Sequence, residues 1–111
     1  MKNLQIVPNG SHDIYACAAA TERVLAAQFK ALADANVYLE GCLLKPNMVK
    51  NGLTGPKASP EEVAALTVQA LMRTVPPAIP GIFFLSGEVR TMSRSGDLRS
   101  MCLARSVAAS R

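Results

Sequence analysis

The segment SPEEVAALTVQALMRTVPP, residues 59–77, constrains this chain more than any other, because both of its ends are written into it. Ser59 is placed to cap a helix, Pro60 fits the first helical position where no N–H is needed, and Glu62 completes a capping box. Arg73 suits the negative end of the helix dipole, and Pro76-Pro77 stop the helix. On either side lie apolar runs, VYLEGCLL at 37–44 and GIFFLS at 81–86, too short for surface helices and rich in strand formers. A helix between two such runs is long enough to bring the second strand back parallel to the first.

Upstream, Ile6 and Val7 form a short apolar segment halted by Pro8-Asn9-Gly10, the stub of a strand. Ser11 is a candidate cap with Asp13 in the first turn, and Ile14, Cys17, Thr21, Val24, Leu25, Gln28 and Leu32 recur at helical intervals, which predicts a helix over about 12–35. The order is strand, helix, strand, helix, strand: an α/β chain with a parallel sheet. Strands covered on both faces need neighbouring strands at their edges and helices on each side, which 111 residues do not supply. The expectation is an incomplete piece of a larger sheet, exposed at its edges and inclined to self-associate.

Net charge is +4, but residues 1–87 carry seven basic against six acidic side chains, whereas 88–111 carry five arginines against Glu88 and Asp97. Three of the four net charges therefore sit in the last segment, which has no aromatic residue to stack on a base, so specific nucleic-acid binding is not expected. No apolar run approaches the ~20 residues of a membrane span, and the first residues lack the apolar core of a signal peptide, which makes the cytoplasm the expected location. Cys17, Cys42 and Cys102 are widely separated and His12 is the single histidine, so neither a disulfide framework nor a metal site has its usual spacing. The cysteines are expected as reduced thiols, two of them buried. His12 reads as a first-turn surface residue rather than a catalytic base, since no Ser, Cys or acidic partner is fixed beside it.

Lys45 ends the apolar run 37–44 and is followed by Pro46. Strand alternation puts it on one face with Leu43, Gly41 and Leu39. Read from spacing, it is either a solvated lysine at a strand end or a nucleophile with its stem among apolar neighbours.

The run TERVLAAQFKALADANVYLEGCLLKPNMV, followed by ALMRTVPPAIPGIFFLSG, resembles class I fructose-bisphosphate aldolase over about residues 6–87. The resemblance implies a partial (β/α)8 barrel, from the end of the fifth strand through the seventh with the helices between. It implies that Lys45, the lysine of LLKPNMV, is the family's Schiff-base nucleophile at the C-terminal end of the sixth strand, where barrel enzymes keep their chemistry. An amine attacks a ketone only when unprotonated, and at a reference pKa of about 10.4 roughly one lysine in a few thousand is neutral at pH 7. Partial burial in a barrel mouth is expected to raise that fraction. Ser86 and Gly87 match the family's phosphate-binding Ser-Gly pair after the seventh strand. The implied substrate is fructose 1,6-bisphosphate, cleaved to dihydroxyacetone phosphate and glyceraldehyde 3-phosphate with no cofactor and no metal, and complete family members form homo-oligomers.

The departures from the family pattern bear on activity. Asn3-Leu4-Gln5 stand where the family has Glu-Pro-Glu, whose first glutamate moves protons, and Asn3 has no carboxylate to do so. A second active-site lysine would lie before Met1, and a later phosphate-holding arginine and a C-terminal tyrosine segment have no counterpart. After Gly87 the family continues with a second glycine and an acidic helix, whereas this chain reads EVRTMSRSGDLRSMCLARSVAASR. The expected division is therefore a partial barrel domain at 1–87 and a divergent basic tail at 88–111, with the character of out-of-frame or intron-derived translation. An inactive fragment of an aldolase is the expectation. The alternative is a non-catalytic product whose basic tail makes it a weak binding or regulatory piece. Transaldolases, the other Schiff-base class weighed, lack the combination of LLKPNMV and RTVPPA.

Overall fold

The computed structural model describes Ile6 and residues 9–84. Asn3, Ser86, Gly87, Cys102, the expected boundary at Gly87 and the tail 88–111 lie outside that set. The described part is an α/β arrangement: helix α1 (Ile14–Asp34), a 3-10 turn (Leu39–Gly41), strand β1 (Leu43–Leu44), helix α2 (Pro60–Thr74) and strand β2 (Gly81–Ile82). The strands pair in parallel, Leu43 opposite Gly81 and Leu44 opposite Ile82, so α2 is the crossover that its capping signals imply. Ile6 is half-buried without strand pairing, and Val7 is outside the described residues, so no first strand appears among them.

Helix α1 starts two residues later than its periodicity predicts. Asp13, not Ser11, is the cap, its carboxylate accepting the Ala16 N–H at 2.8 Å. The His12 carbonyl, which would have accepted that bond in a longer helix, instead accepts the Gly52 N–H at 2.9 Å. His12 thus precedes the helix rather than sitting in its first turn. At the other end Asn36 takes φ 53°, the Asn36 N–H reaches the Ala33 carbonyl and the Val37 N–H the Leu32 carbonyl, both at 3.0 Å. That pair of bonds closes the helix as a Schellman motif, with asparagine in the left-handed position that glycine more often holds.

Helix α2 follows its sequence signals closely. Ser59 Oγ accepts the Glu62 N–H at 3.2 Å, Pro60 opens the helix, and Arg73 lies in the last turn. The two helices run side by side in the same direction, because Tyr15 near the start of α1 meets Glu62 near the start of α2, while Glu22 meets Arg73 near its end at 2.9 Å. None of the helices among the described residues is long and apolar enough to cross a membrane.

The strands are shorter than the runs 37–44 and 81–86 that suggested them. Over 37–42 the backbone satisfies itself locally: the Gly41 N–H bonds the Tyr38 carbonyl and the Cys42 N–H the Leu39 carbonyl, a turn that Gly41 accommodates and that a strand without a partner cannot outcompete. Pairing extends past β2 by one bond, the Phe83 N–H to the Leu44 carbonyl at 2.9 Å.

Two apolar clusters hold the helices to the sheet. Ile14, Cys17 and Ala18 of α1 pack with Met48, Val49, Val63 and Ala70, and further along Leu25 and Phe29 pack with Leu71, Leu44 and Ile82; Phe84 touches both. Burying a side chain of the Leu or Phe class stabilises by roughly 1.5–3 kcal/mol, so these few residues account for much of the core's cohesion. At the centre of the first cluster Val49 is 0% and Thr67 1% exposed. Thr67 Oγ1 accepts the Val49 N–H at 2.9 Å and donates its own proton to the Val63 carbonyl at 2.6 Å. A buried backbone donor in a loop is thus satisfied by one helix side chain.

Replacing Thr67 by Val preserves its shape and strands the Val49 N–H, at an expected cost of about 1–3 kcal/mol, whereas Thr67→Ser keeps the hydroxyl and loses about 0.8 kcal/mol for its methyl group. Urea unfolding of the three chains checks the order; a valine variant as stable as the serine variant would remove the hydrogen bond from the account of the core.

Candidate active site

Lys45 follows β1 directly and is exposed. The residues after it fix its position. The Asn47 side-chain amide donates to the Ile6 carbonyl at 3.3 Å, Met48 and Val49 are buried, and Val49 is tied to Thr67. The lysine backbone is therefore held between a paired strand on one side and a buried anchor on the other. Such fixing of the backbone is what a positioned nucleophile needs.

The sheet has two unlike faces. Leu44 and Ile82 turn toward the helices, whereas Leu43, on the alternation that includes Lys45, is 63% exposed and Phe83 is 55% exposed. The Phe83 ring lies over Gly81, where an added Cβ would come within 2.9 Å of it and 3.2 Å of the Leu43 side chain. Lys45 thus stands at the end of an open apolar strip made by Leu43, Gly81 and Phe83. The partial burial expected for Lys45 is not present: two strands form one wall, and no further wall covers this face among the described residues. Leu39 is half-buried and Gly41 exposed, both in the 3-10 turn rather than on a continuous strand face.

Beyond Val49 the loop folds back on the residues before α1. The Gly52 N–H bonds the His12 carbonyl, and the Thr54 N–H and hydroxyl both reach the Gly10 carbonyl, at 3.1 and 3.0 Å. A Cβ at Gly52 would overlap the Gly10 carbonyl oxygen, and one at Gly55 the His12 carbonyl oxygen, so this close passage requires glycine at both positions. Of the cysteines, Cys17 is buried and Cys42 half-buried, both as free thiols, with Cys42 Sγ 3.4 Å from the Tyr38 carbonyl. Among the described residues no three His, Cys, Asp or Glu side chains converge.

Ser86 and Gly87 lie outside the described residues, so the structure gives Lys45 a place and leaves the Ser-Gly pair as an expectation. Sequence reasoning missed Thr67 and the opposed faces of Leu43 and Phe83. Thr67 was detectable as a polar residue on the apolar stripe of Val63, Ala64, Ala70 and Leu71. A hydroxyl at such a position has to serve a backbone group.

The family profile described as glycolytic fructose-bisphosphate aldolase class-I matches residues 2–108. The chain belongs to the class I fructose-bisphosphate aldolase family. Among its curated relatives, the cytoplasmic isozyme from Cicer arietinum is 63% identical over 84 residues, 76% of this chain and 23% of that protein. Fructose-bisphosphate aldolase 1 from Toxoplasma gondii is 58% identical over 98 residues, 87% of this chain and 27% of that protein. A ternary co-crystal structure of fructose-bisphosphate aldolase from Plasmodium falciparum, in complex with TRAP and a small molecule inhibitor, aligns with a TM-score of 0.77 at 44% identity over 87% of this chain and 28% of the other. The chain spans about a quarter of the length of these aldolase relatives.

One electrostatic perturbation stands out on the surface beside the loop. The Tyr15 hydroxyl donates to Glu62 Oε1 at 3.0 Å, and this bond, reinforced by the Glu62 charge, holds the phenol above the ordinary tyrosine value of 10.0. Because the folded value is raised, the pair's contribution is fully present at neutral pH and is lost only as pH climbs through the folded value, above 10. Absorbance titration of phenolate is expected to show a late-ionising tyrosine that Tyr15→Phe removes and Glu62→Gln brings down; a titration curve unchanged by Glu62→Gln would exclude the bond as its cause.

Proposed function

We propose that the chain carries the Schiff-base segment of a class I fructose-bisphosphate aldolase, with β1, α2 and β2 as the sixth strand, its crossover helix and the seventh strand of a (β/α)8 barrel. The observation that carries this reading is Lys45 in LLKPNMV, set at the C-terminal end of a strand whose parallel neighbour leads on to Ser86 and Gly87. Parallel barrel strands present their chemistry at that end. The open strip of Leu43, Gly81 and Phe83 fits an inward face that further strands would enclose, and the aldolase relatives support the partial barrel.

In this reading the unprotonated Lys45 amine adds to the ketone carbon of a phosphorylated ketose, and the carbinolamine loses water to an iminium. The iminium accepts the electron pair of the breaking C3–C4 bond while a base removes the proton of the C4 hydroxyl. The aldehyde product leaves, and protonation and hydrolysis of the resulting enamine release the ketone product and restore the amine. In this reading Ser86 and Gly87, which follow β2 in sequence, would take a substrate phosphate while C2 sits at Lys45. A serine hydroxyl and a glycine backbone that permits close approach suit phosphate there.

The isolated 111-residue chain supplies the nucleophile without the proton chemistry. Asn3 is no carboxylate, and a general acid or base contributes typically ~10²–10⁴-fold. Lys45 is moreover exposed rather than enclosed. The open strip and unpaired strand edges favour self-association of the chain. Residues 88–111, with their five arginines, are an addition to the barrel part in this reading, although the family match extends to residue 108. The cytoplasmic name of the Cicer arietinum relative supports a cytoplasmic location.

Borohydride reduction in the presence of dihydroxyacetone phosphate, followed by peptide mapping, is expected to place the adduct on Lys45. An adduct on Lys50 or Lys57 with Lys45 untouched would overturn the assignment. In a coupled cleavage assay the chain by itself should show no significant turnover of fructose 1,6-bisphosphate, and a rate near that of a complete aldolase would contradict the reading of Asn3.

A further inference from the structure

The loop after Val49 is clamped to the segment before α1 by the Gly52 and Thr54 bonds, and at that contact it carries an Asn-Gly pair, Asn51-Gly52, distinct from the Asn9-Gly10 pair of the segment it touches. We propose that this pair is a deamidation site which the folded clamp holds shut and which local opening exposes, so that the loop following Lys45 carries an irreversible record of having opened. The chemistry requires water alone. The Gly52 backbone nitrogen loses its proton and attacks Cγ of Asn51; the new N–Cγ bond forms as the Cγ–Nδ2 bond breaks and ammonia leaves. Water then opens the succinimide at either carbonyl, giving aspartate or isoaspartate. A glycine on the C-terminal side offers the attack the least steric hindrance, having no side chain.

The folded geometry opposes the attack at both the nucleophile and the leaving group. Gly52 is buried, and its N–H is donated to the His12 carbonyl at 2.9 Å, which occupies the nucleophile. The Asn51 side-chain amide donates to the Gly52 carbonyl at 3.0 Å, holding the leaving group in place. One contact works the other way: the Ala58 N–H approaches Asn51 Oδ1 and would polarise Cγ. At 3.4 Å it is beyond the usual N–H···O range and weaker than the 2.9 Å bond that holds the nitrogen. Protection therefore wins while the clamp is closed. Conversion would be hard to reverse structurally, since isoaspartate inserts a methylene into the backbone between residues 51 and 52, and the Gly52 bond to His12 and the Thr54 bonds to Gly10 would no longer share one register.

The test follows amide loss at mildly alkaline pH in the whole 111-residue chain, in native buffer and in concentrated urea, by peptide mapping with isoaspartate detection. In urea, Asn51 should convert well ahead of Asn36 and Asn47, whose following residues carry side chains. In native buffer its conversion should be about tenfold or more slower, because reaction proceeds through the small open population. Thr54→Val, which removes the hydroxyl bond to Gly10, should raise the native rate and leave the urea rate unchanged. Equal rates in native buffer and urea, a native rate unaffected by Thr54→Val, or Asn51 no faster than Asn47 in urea would each overturn the proposal. None of these readings depends on Lys45 being catalytic.

Discussion

The hydrogen bond from the Val49 backbone to Thr67 is where the three parts of this structure meet. The loop that leaves β1 must cross the core to reach α2, and a buried loop donor without a partner costs about as much as a typical mutation removes. Thr67 resolves this from within the helix, passing its own proton back to Val63. Because Met48 and Val49 are thereby committed to the core beside Ile14 and Cys17, the start of the loop is anchored, α1 and α2 share one packing surface, and Lys45, just before Pro46, is set at the strand end. The place of Lys45 is thus a consequence of core packing three and four residues away.

The sheet transmits that constraint unevenly. Its helix-facing side is made of Leu44, Ile82 and Phe84, which join the clusters around Leu25 and Phe29, while its other side leaves Leu43 and Phe83 to solvent. An apolar face next to an amine is the environment that carbonyl addition chemistry favours once water is excluded. Here the strip is open, which agrees with a chain spanning about a quarter of its relatives' length.

Much of this was legible in the sequence, for reasons that differ by element. The start of helix α2 was readable to the residue because Ser59 and Pro60 act locally, and the paired prolines bounded its end, independent of what packs nearby. The parallel pairing followed from the length of the crossover. The start of α1 was misplaced by two residues because the cap was decided by a long-range contact, Gly52 claiming the His12 carbonyl. The strand at 37–44 shrank to Leu43–Leu44 because strand-forming residues need a partner, and no local pattern reports whether one exists. As for the site, Lys45 was marked by its motif and lies directly after β1, while its role stays an expectation; its exposure was not legible, because burial depends on what packs over the strand face rather than on the residues beside it.

The pairing of β1 with β2 has a kinetic side. Leu43 meets Gly81 across the whole of the intervening loop and α2, so the sheet consists entirely of contacts between residues far apart in sequence. Such contacts demand loop closure before they return any stabilisation, and high contact order slows folding. The helices, capped and amphipathic, form from near neighbours. Docking of α1 on α2 joins residues 47 and 51 apart, a longer closure than the strand pair needs, so the helices form first while their docking and the strand pairing both wait on loop closure. The lysine at the end of β1 acquires its fixed position only when these distant contacts close, so any ligand able to engage it in its ordered place would select for chains that have completed folding.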